Sequence, residues 1–196
     1  MFGDRLPLAE AYADLLADAA VVRGLIGPRE VPRLWERHLL NSAAIAVVIP
    51  SGAAVLDVGS GAGLPGIPLA LARPDLQVTL AEPLLRRASF LDEVCRALHL
   101  SRVQVVRARA EQLPRRRADV VTARAVAPLP RLLSWTLPLL RPAGLLVAIK
   151  GRTASQEMAA AGEELQRLGA ASCRLLDLPV PGSSEATRAV LVVAGD

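Results

Sequence analysis

A glycine-rich turn after an apolar segment constrains this chain more than any other feature. Residues 55–58 are apolar apart from Asp57, and Gly59, Gly61 and Gly63 follow them directly. Glycine has no Cβ, so the backbone can turn sharply there and approach a ligand closely. A helical segment begins after this turn, and the free N–H groups of its first residues would lie beside that ligand. The pattern predicts a strand, a ligand-binding turn and a helix.

A carboxylate follows the next apolar run at a distance typical of nucleoside-binding folds. Residues 76–81 are mainly apolar and end at Glu82, about 20 residues beyond the glycines. An acidic residue at the tip of the second strand can accept hydrogen bonds from both hydroxyls of a ribose. The turn and Glu82 together predict a site for a cofactor that contains a nucleoside.

The residues around the turn favour S-adenosylmethionine over a dinucleotide. Residues 61–66 fit the pattern G-x-G-x-x-G, which is a weak signal by itself. Asp57 would repel a pyrophosphate, and Pro65 and Pro68 remove N–H groups that would bind one. The cationic amino-acid tail of S-adenosylmethionine suits Asp57 better. A nicotinamide-dependent oxidoreductase is therefore the less favoured alternative.

The composition indicates a globular protein with an anionic partner. The 196 residues are 52% hydrophobic and 21% charged, with a formal net charge of +4. No apolar run approaches the ~20 residues that span a bilayer. The first residues include Asp4 and Glu10 and lack the order of a signal peptide, so we expect a cytoplasmic protein. Cys95 and Cys173 are too few and too far apart for a metal site or a disulfide framework.

Alternation of strands and helices predicts an α/β domain over residues 51–196, preceded by a helical extension over residues 1–50 that packs on it. Strands are expected near 54–58, 77–81, 103–106, 119–123 and 144–149, and helices near 66–72, 84–98, 109–113, 129–140 and 154–168. This alternation gives a parallel sheet with right-handed crossovers. Strands near 172–178 and 188–194 are joined too briefly for a crossover and should form an antiparallel hairpin. A mostly parallel sheet that ends in a hairpin is typical of the Rossmann-like class I methyltransferases.

Four ordered motifs resemble those of one family. They are residues 36–42 (ERHLLNS), 57–68 (DVGSGAGLPGIP), 123–129 (ARAVAPL) and 148–151 (AIKG). The chain is identified by these motifs, over nearly its whole length, as a member of the 16S ribosomal RNA guanine-N7 methyltransferases, also called glucose-inhibited division protein B. The resemblance implies S-adenosylmethionine as the cofactor and, as the partner, the small-subunit ribosomal RNA or the 30S particle. We expect a monomer that needs no metal.

The resemblance also implies which residues bind the cofactor. Gly59 and Leu64 would line its methionine and ribose end, with Asp57, Gly61 and Gly63 in the same turn. The family often has Asp at position 82 and an aromatic residue at 64, and Glu and Leu keep the same chemistry. The other expected cofactor contacts lie after the second, third and fourth strands, at Glu82, Pro83, Leu84, Ala110, Glu111 and Arg124.

The acceptor side of the site fits attack by a guanine N7. Residues 123–126 contain no Asn/Asp-Pro-Pro-aromatic motif for an exocyclic amine, and neither cysteine lies at a strand end as a nucleophile. Guanine N7 has a free lone pair and needs mainly alignment with the methyl group. We expect Arg124 and Lys150 to hold the guanine through O6 or a phosphate.

Arginines provide the expected RNA surface. Residues 101–131 contain eight arginines, including Arg115, Arg116 and Arg117, against Glu111 and Asp119, and we expect this patch to lie next to the site. Arg37 and His38 are expected to clamp RNA phosphates or to bind near the cofactor. Two alternatives remain: a methyltransferase with another RNA or a small molecule as acceptor, and a non-catalytic RNA-binding protein that senses S-adenosylmethionine.

Overall fold

The apolar runs in the second part of the chain form strands of one sheet. The computed structural model describes residues 1–195, and within them the strands are β1 (Ala54–Val58), β2 (Gln77–Ala81), β3 (Val103–Val106), β4 (Ala118–Arg124), β5 (Leu140–Ile149), β6 (Ala170–Leu178) and β7 (Thr187–Ala194). Their order is β3-β2-β1-β4-β5-β7-β6. Strands β1 to β5 are parallel, and β7 runs antiparallel to both β5 and β6. The predicted parallel sheet with a terminal hairpin is confirmed.

The helices connect these strands and precede them. The α-helices are α1 (Leu6–Leu15), α2 (Asn41–Ala43), α3 (Gly66–Ala72), α4 (Leu85–Ala97), α5 (Leu129–Thr136), α6 (Ala154–Ala160) and α7 (Gly162–Arg167). Short 3-10 segments lie at Gly3–Arg5, Pro28–Arg33, Ala44–Val48, Ala110–Gln112 and Leu137–Leu139, and π-helical segments at Leu16–Ala20 and Leu34–Leu40. Within residues 1–195, no helix has the length and hydrophobicity needed to cross a membrane.

Three helical predictions differ from the structure in detail. The helix expected over 129–140 ends at Thr136 and is followed by a 3-10 turn at Leu137–Leu139, because Pro138 has no N–H to donate to the carbonyl four residues before it. The helix expected over 154–168 is divided between α6 and α7 at Ala161. Within the predicted helical extension, residues 28–48 form a series of 3-10, π and short α segments rather than a regular helix, with Pro32 near the start.

Alternation along the central strands places apolar side chains on both faces of the sheet. Val55 contributes to the core on one face, while Leu56 and Val58 contribute to the core on the other. The first face is covered by α3, α4 and the first 50 residues, whose buried Tyr12 and Leu39 belong to the same core as Val55. The first 50 residues therefore pack directly against the sheet.

Parallel strands give the sheet two functionally different edges. We call the edge at the C-terminal ends of β1 to β5 the carboxyl edge, and the edge at their N-terminal ends the amino edge. Ligands of open parallel sheets bind at the carboxyl edge, near the point where strand order reverses. Here that point lies between β1 and β4. From β1 the chain continues to β2 and β3 on one side of the sheet, and β4 and β5 lie on the other side.

Candidate active site

The glycine turn connects β1 to α3 at the carboxyl edge. Its start is fixed to the next strand, because the N–H groups of Gly59 and Ser60 donate to the Ala81 carbonyl at 2.9 and 3.2 Å. Gly59 has φ +69°, and an added Cβ would lie 2.8 Å from Cγ2 of Val126. Gly63 has φ +104°, where a side chain would be strained. The turn therefore requires glycine at these two positions for reasons of backbone conformation and close contact.

Glu82 is held against this turn at the tip of β2. Its carboxylate is 1% exposed, and one oxygen accepts from the Gly61 N–H while the other accepts from the Leu84 N–H, both at 3.0 Å. A carboxylate oxygen has two lone pairs, so each oxygen keeps one acceptor position. Leu84 is 53% exposed beside it, and Pro83 is also exposed. The arrangement can accept two hydroxyl hydrogen bonds next to an apolar surface.

Asp57 lies beneath the turn and is fully buried. Its Oδ1 accepts from the Thr122 hydroxyl at 2.8 Å, and its Oδ2 accepts from the Gly66 N–H at 3.2 Å. Burial raises the pKa of this carboxyl from 3.8 to about 6, the hydrogen bonds oppose that shift, and the nearby Glu82 adds to it. Asp57 thus ties β1 to β4 and to the start of α3, and its contact with a cofactor stays a prediction.

A residue of the first helix also holds the turn, and no sequence motif predicts it. The buried hydroxyl of Tyr12 donates to the Ala62 carbonyl at 2.8 Å. Burial, reinforced by the charge of Asp57, raises the pKa of Tyr12 well above its ordinary value, so the phenol stays protonated as a donor. In the sequence Tyr12 is one member of a helical apolar stripe, and nothing local distinguishes it from its neighbours.

Arg124, at the end of β4, is bound to the segment that precedes the sheet. One terminal nitrogen donates to the Arg37 carbonyl at 3.1 Å and lies 2.8 Å from Nδ1 of His38. The other donates to the Ser42 hydroxyl at 3.1 Å and to the His38 carbonyl at 3.5 Å. The structure therefore brings Arg37, His38 and Arg124 together, with Arg124 acting as an anchor for the N-terminal segment.

These contacts define the protonation of His38. A guanidinium only donates, so Nδ1 accepts from Arg124, and Nε2 carries the hydrogen that faces the Glu30 carboxylate at 2.9 Å. Burial lowers the pKa of His38, and the charge of Arg124 lowers it further. The imidazole is therefore neutral, and it links Glu30 to Arg124 through one hydrogen bond at each ring nitrogen.

Lys150, at the end of β5, fixes the loop between β4 and α5. Its side chain is 7% exposed, and the ammonium donates to the Ala127 carbonyl and to the Glu157 carboxylate, both at 2.7 Å. The same Glu157 oxygen accepts from the Leu129 N–H at 2.8 Å. Lys150 and Glu157 together hold the end of this loop that leads into α5, directly after Val126.

A cleft of about 940 Å³ opens at the carboxyl edge beside these residues. Arg37, Arg124 and Lys150 all line it, as does the connection between β6 and β7. Its charged lining residues are Arg33, Glu36, Arg37, Arg124, Lys150, Arg152, Glu157, Asp177, Glu185 and Arg188. Cations outnumber anions among them, so the cleft suits an anionic ligand with polar edges.

The remaining predicted residues lie on both edges. Ala110 is buried and Glu111 exposed in the 3-10 turn after β3, on the same edge as Glu82. Residues 115–117 instead precede β4, and the N–H groups of Arg116 and Arg117 donate to carbonyls just before β5. They therefore lie at the amino edge. The expectation that this arginine run lies next to the site is wrong, because the run precedes the N-terminal end of β4 whereas Arg124 lies at the C-terminal end of the same strand.

Within residues 1–195, no group of three or more His, Cys, Asp or Glu side chains is placed to hold a metal ion. Cys95 and Cys173 are free thiols, and burial raises the pKa of each.

The strand order, the glycine turn and the buried carboxylate at the tip of β2 define a class I methyltransferase. Solved structures of that class share the fold. A SAM-dependent O-methyltransferase from Thermotoga maritima matches with a TM-score of 0.62 and 16% identity, covering 85% of this chain and 70% of that one. TYW2 from M. jannaschii, solved in complex with AdoMet, matches with a TM-score of 0.63 and 16% identity, covering 81% and 75%.

Sequence relatives are more specific. The family model for rRNA small subunit methyltransferase G matches residues 5–179. Ribosomal RNA small subunit methyltransferase G of Thermobifida fusca is 61% identical over 85% of this chain and 71% of its own length. The protein of the same name from Streptomyces coelicolor is 56% identical over 100% of this chain and 83% of its own length. The chain belongs to the rRNA small subunit methyltransferase G family, which confirms the resemblance seen in its motifs.

Proposed function

We propose that this protein transfers a methyl group from S-adenosylmethionine to N7 of a guanine in the small-subunit ribosomal RNA. One observation carries the proposal: the glycine turn and the buried Glu82 carboxylate lie at the same sheet edge as a large cleft whose lining holds more cations than anions. The family to which the chain belongs supplies the class of acceptor.

The residues at the turn fit the cofactor. Glu82 keeps free acceptor positions for the ribose hydroxyls, and the absence of a side chain at Gly59 leaves a space that a Cβ would fill. Leu64, Ala110 and Glu111 complete the proposed contacts. When bound, S-adenosylmethionine supplies an electrophilic methyl group on a sulfonium.

The acceptor side fits a nucleophile that needs no deprotonation. The carboxylates of Glu157 and Asp177 are engaged in ion pairs with Lys150 and Arg188. Both ring nitrogens of His38 are engaged as well. Guanine N7 attacks through an unprotonated lone pair, so the work of the cleft is to orient the base and to exclude water.

The number of free N–H donors supports different roles for the two residues that we expect to act in catalysis. A lysine ammonium has three N–H donors, and Lys150 uses two of them in its contacts with Ala127 and Glu157. Its third donor is free for guanine O6. Arg124 makes four contacts through its terminal nitrogens, which leaves only its Nε–H. We therefore assign the guanine contact to Lys150, while Arg124 positions the N-terminal wall of the cleft.

We propose that the protein acts as a monomer in the cytoplasm. In this monomer, residues 51–196 form the methyltransferase domain, and residues 1–50 form an extension that completes the site. Tyr12, Leu39 and Val55 share one core, so the extension packs its apolar face against the sheet. This packing supports a role for the extension in completing the site.

Methyl transfer to defined RNA tests the function. Purified small ribosomal subunits and their protein-free RNA, both from cells that lack this activity, would be incubated with radiolabelled S-adenosylmethionine. We expect label in 7-methylguanosine after digestion, and the better substrate shows whether ribosomal proteins help to present the base. Label in another nucleoside, or no label while the cofactor still binds, would contradict the proposal.

A lysine variant tests the acceptor contact. Lys150→Met should lower the rate of methyl transfer at saturating RNA while cofactor affinity stays within about twofold. Glu157→Gln is the matched control, because it perturbs the same ion pair and keeps the lysine amine. Equal losses in both variants would reduce Lys150 to a structural role.

A further inference from the structure

A second cavity lies at the amino edge, on the side of the sheet away from the glycine turn. Its volume is about 500 Å³, and it is lined by the first residues of β1 to β4 together with Arg102, Arg117 and Arg141. Arg115 and Arg116 directly precede Arg117. We call these five arginines, at positions 102, 115, 116, 117 and 141, the amino-edge arginines. The proposed function does not use this surface.

The positive charge of this surface is only partly neutralised. Asp119 pairs with Arg141 and also accepts from the Ala54 N–H at 2.8 Å. Asp75 is engaged by Arg73 at 2.7 Å. The amino-edge arginines against Asp119 leave an excess of four positive charges, as large as the formal +4 of the whole chain. All five side chains except that of Arg117 are exposed, and Arg117 is half-buried.

The arginines stand on two sides of the cavity. Arg102 precedes β3 and Arg117 precedes β4, and two strands lie between these in the sheet. Three strand spacings of about 4.8 Å separate the two positions by roughly 14 Å. One small anion cannot contact both sides, whereas successive phosphates of a polymer can. The cavity floor consists of strand starts rather than of a buried polar side chain, which also disfavours a small-ligand site.

The amino edge and the cleft are too far apart for a single nucleotide. Strand β4 extends for seven residues from Ala118 to Arg124. At about 3.3 Å per residue it separates Arg117 from Arg124 by roughly 20 Å. An RNA that reaches both positions must therefore lie along the side of the protein over several nucleotides.

We propose that the amino-edge arginines bind the phosphate backbone of the substrate RNA, at a segment distant from the methylated base. This inference rests on the proposed function for the identity of the RNA. Arginine binds phosphate strongly and without sequence preference, so the surface would add affinity and orientation rather than chemistry. Its loss should therefore weaken RNA binding and leave the methyl-transfer step intact.

The test removes one arginine from each side of the cavity. Arg102→Gln/Arg117→Gln is compared with Arg167→Gln/Arg174→Gln, which removes the same charge from α7 and β6. Binding of protein-free small-subunit ribosomal RNA is measured on filters over a range of salt concentrations. We expect the test variant to bind about tenfold more weakly at low salt. The slope of log affinity against log salt should fall by about 1.4, or about 0.7 per phosphate contact.

Kinetics and folding controls complete the design. At saturating RNA the test variant should keep the wild-type kcat, with a KM about tenfold higher, and its cofactor affinity and Tm should match the control. If the double variant is unstable, the exposed Arg115→Gln is tested instead, with a slope change of about 0.7 expected. An RNA affinity and salt slope equal to those of the control would overturn the proposal.

The two proposals fail separately. If the wild-type protein labels 7-methylguanosine and the test variant matches the control, the amino-edge surface is refuted and the function stands. If the wild type transfers no methyl group but the binding difference persists, the surface stands and the acceptor assignment is refuted.

Discussion

Substitution of Gly59 by alanine adds one methyl group where the glycine turn meets the loop after β4. Gly59 has φ +69°, and the left-handed backbone costs an L-residue about 1–2 kcal/mol. The new Cβ would lie 2.8 Å from Cγ2 of Val126 and 3.3 Å from its Cγ1, closer than the ~3.5–4.0 Å of an ordinary contact. Overpacking of this kind costs about 1–3 kcal/mol. The two effects together predict a loss of about 2–5 kcal/mol in the free energy of unfolding.

A double-mutant cycle separates the two effects. Val126→Ala removes both of the close carbon atoms, and the Cβ of residue 126 lies at an ordinary 3.7 Å from the position of the new methyl group. In the Val126→Ala background, Gly59→Ala should therefore cost only the backbone strain of about 1–2 kcal/mol. We expect a coupling of about 1–3 kcal/mol between the two positions, measured by urea unfolding.

Gly27→Ala is the matched control. Gly27 has φ −70°, and nothing lies within 4 Å of an added Cβ, so its stability should change by less than about 0.5 kcal/mol. An equal cost of Gly59→Ala in both backgrounds would refute the steric argument and leave backbone strain as the whole effect. A cost no larger than that of the control would refute both parts of the reasoning.

Three further predictions concern buried polar groups. Tyr12→Phe leaves the Ala62 carbonyl without its donor and should cost about 1–3 kcal/mol in urea unfolding; a cost below about 0.5 kcal/mol would contradict the importance of that bond. The raised pKa of Asp57, about 6 against 3.8, means that its neutral form adds stability below pH 3.8 that is lost as the pH rises through about 6. The stability of the wild type relative to Asp57→Asn should then fall by about 3 kcal/mol between about pH 3 and pH 7, and a constant difference would argue against it. His38 should titrate below 6.5 by NMR, with its contribution to stability present above that pH and lost as the pH falls through the lowered pKa; a value above 6.5 would contradict a neutral acceptor for Arg124.

Local patterns were sufficient for the part of the site that is built within one strand–turn–helix unit. The apolar period of β1, the glycines and Glu82 lie within about 30 residues, and each has a conformational reason that the sequence displays. The hairpin of β6 and β7 followed from a connection too short for a crossover. The position of the arginine run could also have been predicted, because a residue that precedes a parallel strand lies at the amino edge. Nearness in sequence to Arg124 is misleading here, because the seven residues of β4 lie between the run and the opposite end of the strand.

Contacts between the first 50 residues and the sheet could not be predicted in the same way. Tyr12 and Ala62 are 50 positions apart, and Arg124 and His38 are 86 apart. Such pairs depend on how the N-terminal segment lies across the sheet. The periodicity of apolar residues within a segment does not predict where that segment packs on another element. The irregular backbone of residues 28–48 adds to the difficulty, because its 3-10 and π turns change which side chains share a face.

These long-range contacts give the N-terminal segment a place in the site itself. Through Tyr12 it supports the turn that we propose to bind the cofactor, and through the backbone and side chain of His38 it holds Arg124 at the wall of the cleft. The two contacts lie on either side of the point between β1 and β4 where the strand order reverses. A shift of this segment would therefore move the cofactor turn and the acceptor wall together. That coupling favours alignment of the two reacting groups, which is the main requirement when the nucleophile needs no base.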